Sequence, residues 1–409
     1  MAQRRILDGY RIVDFTQVLA GPSCTRAMAE LGAEVIKLEI APGGDMTRNL
    51  PWLRNGRSAY FIQQNRGKQS LCLNPKTPEG LHIIKELIKD ADVFIESFAP
   101  GAIGRMGLDW DVVQAINPKV VMCSISAFGQ TGPLSHLPGY DYIAAAYAGI
   151  LDNIGHADGP PLLAGMAIGD VSTGANAFGT IMAALLDRSR TNEGQHLDIS
   201  LLDTYFHMHE VNVQFYSGSE GAVAPTRFGH LHSAIFPIGV FKGPTGYVFL
   251  LCTPATWPVF CKVIEREDLI AHPLYATVPL RAENRFKLAD EIQAWCDKQP
   301  SDEAIVKKFQ DAHLPVAPIL SVPQAMAHPH LIERQVVRTI HDRGFGELQI
   351  PGVPQRYSKY PDRLELQAPY LGEHNAQVLG KHLGYNADRI KALQDAGILY
   401  AEPIPAAAQ

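Results

Sequence analysis

Short apolar runs alternate with helical patterns along the first half of the chain. An apolar run from Tyr10 to Phe15 precedes a Gly21-Pro22 turn and a helical pattern from Ser23 to Leu31. A second strand-like run covers Val35 to Leu38. Strand, helix and strand in this order are typical of the start of a parallel α/β sheet.

The same alternation continues to about residue 220. The pattern predicts strands over Asp92 to Ser97, Val120 to Ile125 and Gly194 to Leu201, and helices over Thr77 to Ala91, Asp109 to Ile116, Val171 to Leu186 and Leu202 to Tyr216. We interpret residues 1–220 as a large, Rossmann-like α/β domain.

A Gly/Ser-rich break from Gly218 to Gly221 introduces a different pattern. Two apolar runs, Phe236 to Lys242 and Tyr247 to Thr253, flank the turn sequence GPTG, which predicts a β-hairpin. Helical patterns follow over Trp257 to Ile264, Leu280 to Lys298 and Ser301 to Ala312. We interpret residues 221–330 as a smaller α+β domain.

Residues 331–409 form the C-terminal segment. A Pro- and Tyr-rich stretch from Pro351 predicts extended chain, and helices are predicted over Asn375 to Leu383 and Asn386 to Ala396.

The composition is that of an ordinary globular protein. Of the 409 residues 46% are apolar and 19% are charged, and the formal net charge is −6. A mildly acidic chain has no overall attraction for nucleic acid or for an anionic membrane, so a polyanionic ligand would need a local basic pocket. No run approaches 18 uninterrupted apolar residues, and charged residues interrupt the first apolar run, which excludes a signal-peptide core.

The six cysteines are dispersed and contain no C-x-x-C pair: Cys24, Cys72, Cys123, Cys252, Cys261 and Cys296. This spacing argues against a zinc site and against a disulfide framework. We therefore expect a protein of the reducing cytoplasm that binds no metal, no nucleic acid and no membrane.

The first predicted strand–helix turn reads TQVLAGP from Thr16 to Pro22 and lacks the G-x-G-x-x-G fingerprint. A nicotinamide or flavin dinucleotide is therefore not expected, although the fold class is Rossmann-like.

Asp170 stands in the segment AIGDVSTG, at the start of a predicted helix rich in small residues. One role open to it is that of a helix N-cap. The other is that of a nucleophile, because an ordinary Asp is ionised at pH 7 and needs no base. Gly169 beside it would let a bulky substrate approach.

Six basic residues are placed where strands should end: Lys37, Arg48, Arg66, Lys68, Lys76 and Arg105. Each could be a solvated surface charge. If they lie together at the carboxyl ends of one sheet, they would converge on its ligand crevice and could hold a diphosphate and a ribose phosphate.

The order of several motifs resembles the family III CoA-transferases, which include formyl-CoA transferase, carnitine CoA-transferase and α-methylacyl-CoA racemase. The motifs are LDGYRIVDFTQVLAGPSC, GGDMTR, NRGKQSLCLN, FAPGAIGRMGL, SISAFGQTGP, GYDYIAAAYAG, AIGDVSTG and LGEH. The resemblance runs over nearly the whole chain and is densest in the first 200 residues.

This resemblance implies an interlocked homodimer, whose large domain is completed by the C-terminal segment and whose smaller domain comes from the middle of the chain. It implies no tightly bound cofactor, with coenzyme A and acyl-CoA as substrates. The implied coenzyme A contacts are Val18, Ala20, Leu73, Lys76, Phe98, Arg105 and Met106, to which we add Lys37, Arg48 and Ser97 as candidates.

The resemblance also implies that Asp170 is the catalytic residue. Its carboxylate would attack the donor thioester to give a mixed anhydride and CoA thiolate, and the thiolate would then form an aspartyl-CoA thioester. The acceptor acid would repeat these steps in reverse, so the exchange needs no ATP but must exclude water.

Three departures from the relatives bear on the substrate. Formyl-CoA transferase has a mobile glycine tetrad where this chain reads RFGHLHS, and a glutamine where this chain has Leu19, with Gln17 two residues earlier. The racemase branch has a histidine where this chain has Tyr140, and a phenol is a poor base at pH 7. A racemase-type epimerase and a non-catalytic CoA-binding protein are the alternatives.

The middle segment GHLHSAIFPIGVFKGPTGYV most resembles the branch that uses succinyl-CoA or related dicarboxyl-CoA donors. Arg227, His230 and His232 are candidates for binding the distal carboxylate of an acceptor, although the two histidines could equally be a structural pair at a strand edge. The expected reaction is transfer of CoA between small dicarboxylic acids.

Overall fold

The strand–helix alternation of the first half forms a parallel sheet. The computed structural model describes residues 4–360 and 362–406; residues 1–3, 361 and 407–409, which fall in the predicted N-terminal and C-terminal ranges, lie outside the described residues. The first strands are β1 (Arg11–Phe15), β2 (Glu34–Ile40), β3 (Leu53–Arg54), β4 (Arg57–Ser58), β5 (Lys68–Leu73), β6 (Val93–Glu96), β7 (Val121–Ser126) and β8 (Gln195–Ser200).

Six of these described strands form one sheet in the order β5-β2-β1-β6-β7-β8, and every neighbouring pair is parallel. The short β3 and β4 pair with each other in a separate antiparallel hairpin. The predicted α/β class with a parallel sheet is therefore confirmed. The order reverses between β1 and β6, because the chain adds β2 and β5 on one side of β1 and the later strands on the other.

The helices that accompany these strands are α1 (Ala20–Glu30), α2 (Ala59–Asn65), α3 (Pro78–Lys89), α4 (Ala102–Arg105), α5 (Trp110–Ile116), α6 (Asp141–Tyr147), α7 (Ile168–Thr191), α8 (Leu201–His207) and α9 (Asn212–Gly218), with 3₁₀ turns at Met46–Asn49 and Leu151–Asn153. Five of them, α1, α3, α5, α7 and α8, begin within three residues of a predicted helix start, and no separate helix was predicted for the others.

The single helix predicted over Leu202 to Tyr216 is wrong, because α8 ends at His207 and α9 begins at Asn212. The N–H groups of Met208 and His209 bond to carbonyls three residues back, which tightens the last turn and ends the helix.

By its internal contacts the chain divides into two units. The first runs to Ile150, resumes over Ala164–Glu210 and continues again from Ile332, and the second comprises Leu151–Leu163 and Val211–Leu331.

In the second unit the predicted hairpin is present as β9 (Ile238–Lys242) and β10 (Tyr247–Leu251), and β11 (Val316–Pro318) pairs antiparallel with β10. The helices that follow are α10 (Trp257–Val263), α11 (Val278–Glu283), α12 (Arg285–Cys296), α13 (Asp302–Asp311), α14 (Val322–Met326) and α15 (Pro329–Glu333), with 3₁₀ turns at Pro254–Thr256 and Glu267–Leu269. The helix predicted over Leu280 to Lys298 is divided at Asn284, whose side-chain amide bonds to the carbonyls of Leu274 and Leu280.

The last elements are the antiparallel pair β12 (Val337–Asp342) and β13 (Gly346–Pro351) and the helices α16 (Asn375–Leu383) and α17 (Ala387–Asp395). Val378, Leu379 and Leu393 of these helices are buried in one apolar cluster with Val13 of β1 and Ile84 of α3. Burial of each such side chain stabilises the fold by about 1.5–3 kcal/mol, so the C-terminal helices and the parallel sheet share a core.

No described helix is both long enough and apolar enough to cross a lipid bilayer.

Candidate active site

A cavity of ≈ 260 Å³ opens where β1, β6 and β7 end. Gln17 to Ala20 follow β1, Ser97 to Ala99 follow β6, and Ser126 ends β7 with Ala127 directly after it, so one part of the lining comes from each strand. The cavity lies at the point where the strand order reverses, which is where ligands bind in open parallel sheets.

This cavity brings together eight residues that the sequence singled out: Gln17, Val18, Leu19, Ala20, Ser97, Phe98, Tyr140 and Asp170. Met46 and Leu201 line it as well, and sequence reasoning missed both.

Asp170 reaches the cavity because α7 packs tightly against the first turn of α1. A Cβ at Gly174 would lie 2.1 Å from Ser23 Oγ and 2.6 Å from the Ala20 carbonyl oxygen, so only glycine permits this approach. Asp170 lies four residues earlier, on the same face of α7. Asp170 therefore lines the same cavity as Leu19 and Ala20, where α1 begins and where the helix dipole favours negative charge.

The local alternative for Asp170 was a helix N-cap, and the structure contradicts it. The cap position of α7 is Ala167, and no side chain caps the helix. Asp170 is the third residue of α7, and its carboxylate does not cap the helix.

Asp141 is a site residue that sequence reasoning missed. It is 5% exposed, and its Oδ2 accepts the main-chain N–H of Asp170 at 2.8 Å. Its Oδ1 accepts the phenol O–H of Tyr205 at 2.7 Å. The ring of Tyr205 also explains Gly169, since a Cβ there would lie 2.1 Å from Tyr205 Cε2. A glycine is therefore required at position 169 because any larger residue would collide with this ring.

Asp170 and Asp141 are two carboxylates close together, and each disfavours the charge of the other. Burial and the neighbouring Asp141 carboxylate raise the pKa of Asp170 to about 6. Asp170 therefore remains mostly ionised at pH 7 and is a stronger nucleophile than an ordinary Asp. Burial and the Asp141 hydrogen bond raise the pKa of Tyr205, so its phenol stays a donor.

The turn after β1 is held in an unusual conformation. Val18 has a φ of +69°, which β-branched residues rarely adopt. Lys37 Nζ donates to the Thr16 carbonyl at 2.9 Å, and the Gln17 N–H donates to Ser97 Oγ at 3.0 Å. These bonds from two neighbouring strands hold the turn against the cavity.

The expectation that six cations converge on one crevice is wrong for four of them. Lys37 is fully buried against Asp45 at 2.9 Å, and Lys68 is fully buried against Asp14 at 3.0 Å. Arg66 pairs with Glu30, and Arg48 forms two bonds to Glu39, at 2.7 and 2.8 Å. The charges of these four cations are therefore neutralised by neighbouring acids, and none of them is a free cation for a phosphate. Coenzyme A contacts through Lys37 and Arg48 stay predictions.

The remaining predicted coenzyme A residues lie outside the lining of this cavity. Lys76 and Arg105 have exposed side chains, and Met106, like Phe98, packs against the apolar core of the sheet. Leu73 ends β5 with its side chain 1% exposed, and its carbonyl oxygen accepts the Ala41 N–H at 3.0 Å.

The predicted acceptor residues belong to the second unit. Arg227 forms an ion pair with Asp152, and the ring of His230 lies 5.9 Å from that of His156. His232 Nδ1 accepts the N–H groups of Ala234 and Ile235, at 3.2 and 3.0 Å. The structural alternative therefore has direct support at His232, whose ring organises its own loop.

Three comparisons with known proteins give consistent results. The sequence model described as CoA-transferase family III matches residues 7–375. A succinyl-CoA:glutarate CoA-transferase of Mus musculus is 35% identical over 396 residues, which cover 96% of this chain and 90% of that protein. A formyl-CoA:oxalate CoA-transferase of Streptomyces avermitilis is 34% identical over 411 residues, covering 97% of this chain and 100% of the other.

Among solved structures, the crystal structure of a CAIB/BAIF family protein from Brucella suis superposes with a TM-score of 0.81 at 32% identity. The match covers 93% of this chain and 100% of that one.

Proposed function

This chain belongs to CoA-transferase family III, and from that premise we propose that it transfers coenzyme A between two carboxylic acids with Asp170 as the nucleophile. The observation that carries the proposal is the placement of an ionised, partly buried carboxylate in the cavity at the strand-order reversal, beside the N-terminus of α1.

The proposed chemistry uses only this carboxylate and the two substrates. An Asp170 oxygen attacks the thioester carbonyl of the donor, the C–S bond breaks, and a mixed anhydride and CoA thiolate result. The thiolate attacks Asp170 Cγ, which gives an aspartyl-CoA thioester and releases the donor acid. The acceptor carboxylate then attacks this thioester, and the thiolate released attacks the acceptor carbonyl and regenerates Asp170.

The surroundings of Asp170 favour the negative charge that develops in each step of the proposed reaction. Each attack places negative charge on a carbonyl oxygen next to the first turn of α1, which no side chain caps. The positive end of the helix dipole stabilises that charge. Asp141 holds the main chain of Asp170, so the carboxylate stays oriented while its bonds change.

For the substrates we propose small dicarboxylic acids, with succinyl-CoA or a similar thioester as donor. One similar protein is named a succinyl-CoA:glutarate CoA-transferase, and another is named a formyl-CoA:oxalate CoA-transferase. Arg227 and His230 are the candidates for binding the distal carboxylate, and Gln17, Leu19 and Tyr140 for contacting the acyl part.

We further propose that the chain acts as an interlocked homodimer in the cytoplasm. Large apolar side chains of the first unit are exposed on the single chain, among them Tyr147, Met166, Val171, Leu186 and Phe206, at 53–65%. Exposed apolar side chains in such number favour an interface. Light scattering should give twice the chain mass, and a monomer at micromolar concentration would refute the dimer. The six buried free thiols are consistent with a reducing compartment.

The decisive experiment is mass spectrometry of the protein after incubation with succinyl-CoA. An adduct on the peptide that contains Asp170 is expected, and Asp170→Ala should lose it together with about 10⁴-fold or more of the transfer rate. The matched control is Asp187→Asn, which changes an exposed carboxylate near the other end of α7. The proposal fails if Asp170→Ala still transfers CoA, or if substrate α-protons exchange with solvent while no acid is exchanged.

A further inference from the structure

The wall of the cavity formed by Ser97 and Phe98 is attached to a buried acid that the proposed chemistry does not use. Glu96, the last residue of β6, is 1% exposed. Its Oε2 accepts the main-chain N–H of Phe98 at 2.8 Å. Ser97 between them accepts the Gln17 N–H, so the conformation at Glu96 also influences the turn after β1.

A row of side chains continues from Glu96 across the sheet. Ser124 of β7 lies directly opposite Glu96 in the strand register, and its hydroxyl bonds to the carboxyl group. The same hydroxyl lies 2.9 Å from Nε2 of His196, on β8. The His196 ring stacks on Trp110 with centroids 5.7 Å apart. We call Glu96, Ser124 and His196 the Glu96 row.

Glu96 has no cationic partner in the described part of the chain. The titratable groups on the same face of the sheet are His196 and the Asp198 carboxylate of β8, and the Cys123 thiol of β7 lies nearby on the opposite face. Burial, with a smaller contribution from Asp198, raises the pKa of Glu96 to about 7 in spite of the bonds from Ser124 and Phe98. Burial lowers the pKa of His196 below its usual value in spite of Asp198, which favours the neutral ring.

We propose that Glu96 is a positioning residue, and that loss of its proton fixes the Phe98 wall of the cavity in the form that binds coenzyme A. This inference rests on the proposed function for the identity of the ligand. An ionised carboxylate accepts hydrogen bonds about twice as strongly as a neutral acid, so the Phe98 amide is held more firmly once the proton leaves.

The row has two internally consistent arrangements. With Glu96 ionised, the Ser124 hydroxyl donates to the carboxylate, and Nε2–H of His196 donates to Ser124 Oγ. With Glu96 protonated, its O–H donates to Ser124, whose hydroxyl donates to an Nε2 that carries no proton. Deprotonation of Glu96 therefore changes the tautomer of His196.

The first test measures the dissociation constant of free coenzyme A by calorimetry from pH 5.5 to 8.5. All variants carry Asp170→Asn, which removes the titration of the nucleophile and makes the readout independent of turnover. We expect affinity to rise three- to ten-fold between pH 6 and 8 in this background, and to stay at its low-pH value when Glu96→Gln is added. Comparing the two proteins at each pH cancels the titration of coenzyme A itself.

Two further variants keep the test decisive if Glu96→Gln folds poorly. Asp198→Asn removes the nearby negative charge and should move the rise in affinity to lower pH without reducing it. Ser124→Ala removes one bond to the ionised carboxylate and should move it to higher pH. Unchanged midpoints in both variants would overturn the proposal.

The second test is ¹⁵N NMR of His196, assigned with His196→Gln. The signal should change from the Nδ1–H to the Nε2–H tautomer between pH 6 and 8, and should not change in Glu96→Gln. A pH-independent tautomer, or the same affinity profile with and without Glu96, refutes the positioning role. Neither readout depends on Asp170 chemistry, so failure of the proposed function is recognised separately by transfer in Asp170→Ala.

Discussion

The acids on the two sides of the parallel sheet are in opposite electrostatic situations. The buried carboxylates Asp14 on β1, Glu39 on β2 and Asp45 in the turn after β2 are each paired with a cation, from Lys68, Arg48 and Lys37 respectively. We call these three pairs the paired cluster. Near the end of β6 and on α7, Glu96 and Asp170 are shielded from water but face other acids.

The difference appears in the directions of the pKa shifts. Burial alone would raise the pKa of Asp14, but Lys68 and Lys37, together with hydrogen bonds from Thr16 and Thr25, hold that pKa at about 2. Burial without a cation raises the pKa of Asp170 to about 6 and that of Glu96 to about 7. The three acids of the paired cluster therefore stay ionised at every physiological pH and serve structure, although burial lowers the pKa of their partner Lys68 to about 8. The unpaired acids can change charge or attack a substrate.

The largest expected effect comes from breaking the paired cluster. Lys68→Met should lower the free energy of unfolding by about 3–5 kcal/mol, because Asp14 loses the cation that it contacts while it stays buried. Urea denaturation at pH 7 measures this. Lys76→Met is the matched control, since that side chain is exposed, and should change the free energy of unfolding by less than about 0.5 kcal/mol. Equal effects in both variants would show that the pairing is not what stabilises this region.

The next effect concerns the pH dependence of stability, and its sign differs between the two sides. Asp14 has a folded pKa below its unfolded value, so its contribution of about 2 kcal/mol is present above pH 4 and is lost as the pH falls through 2. Glu96 has a folded pKa above its unfolded value, so stability is lost as the pH rises from 4.5 through 7.

Glu96→Gln removes that second dependence. Its free energy of unfolding relative to the unmodified protein should rise by about 3 kcal/mol between pH 4.5 and pH 8, as measured by urea denaturation at both values. A difference that is constant with pH would mean that Glu96 does not titrate in this range.

The smallest effect tests the like-charge contact at the nucleophile. Asp141→Asn keeps an oxygen that can accept the Asp170 N–H but removes the neighbouring negative charge. The pKa of Asp170 should fall from about 6 toward its ordinary value, so the acid limb of kcat/KM should move to lower pH by less than about one unit. Asp187→Asn should leave the limb in place, and a shift to higher pH in Asp141→Asn would contradict this assignment.

Much of this site was accessible from local sequence. The alternation of apolar runs and helical patterns predicted the parallel sheet. Several candidates that the sequence singled out, among them Gln17, Val18 and Phe98, line the cavity at its carboxyl edge. Asp170 was singled out by its setting and by the family resemblance, and the cavity contains it. These signals succeed because strand–helix periodicity and turn chemistry depend on neighbours within a few residues.

The partners of these residues were not accessible in the same way. Asp141 and Tyr205 are separated by 64 positions, and nothing in either local segment indicates that the phenol bonds to the acid. Lys37 was correctly placed on the second strand, but its burial against Asp45 depends on a turn six residues beyond Glu39. Position on an element is a local property, whereas burial and pairing depend on what packs above it.

The sequence by itself determined the α/β class, the parallel sheet and the family, because periodicity and motif order are written along the chain. The tertiary structure alone decided which charges are neutralised and which remain available. We expected the same role for Lys68 and Lys76 from the sequence, yet one is fully buried against Asp14 and the other is exposed. The physical reason is that burial and neighbouring charge, which set the pKa and reactivity of an ionisable group, are defined only after distant strands and helices have come together.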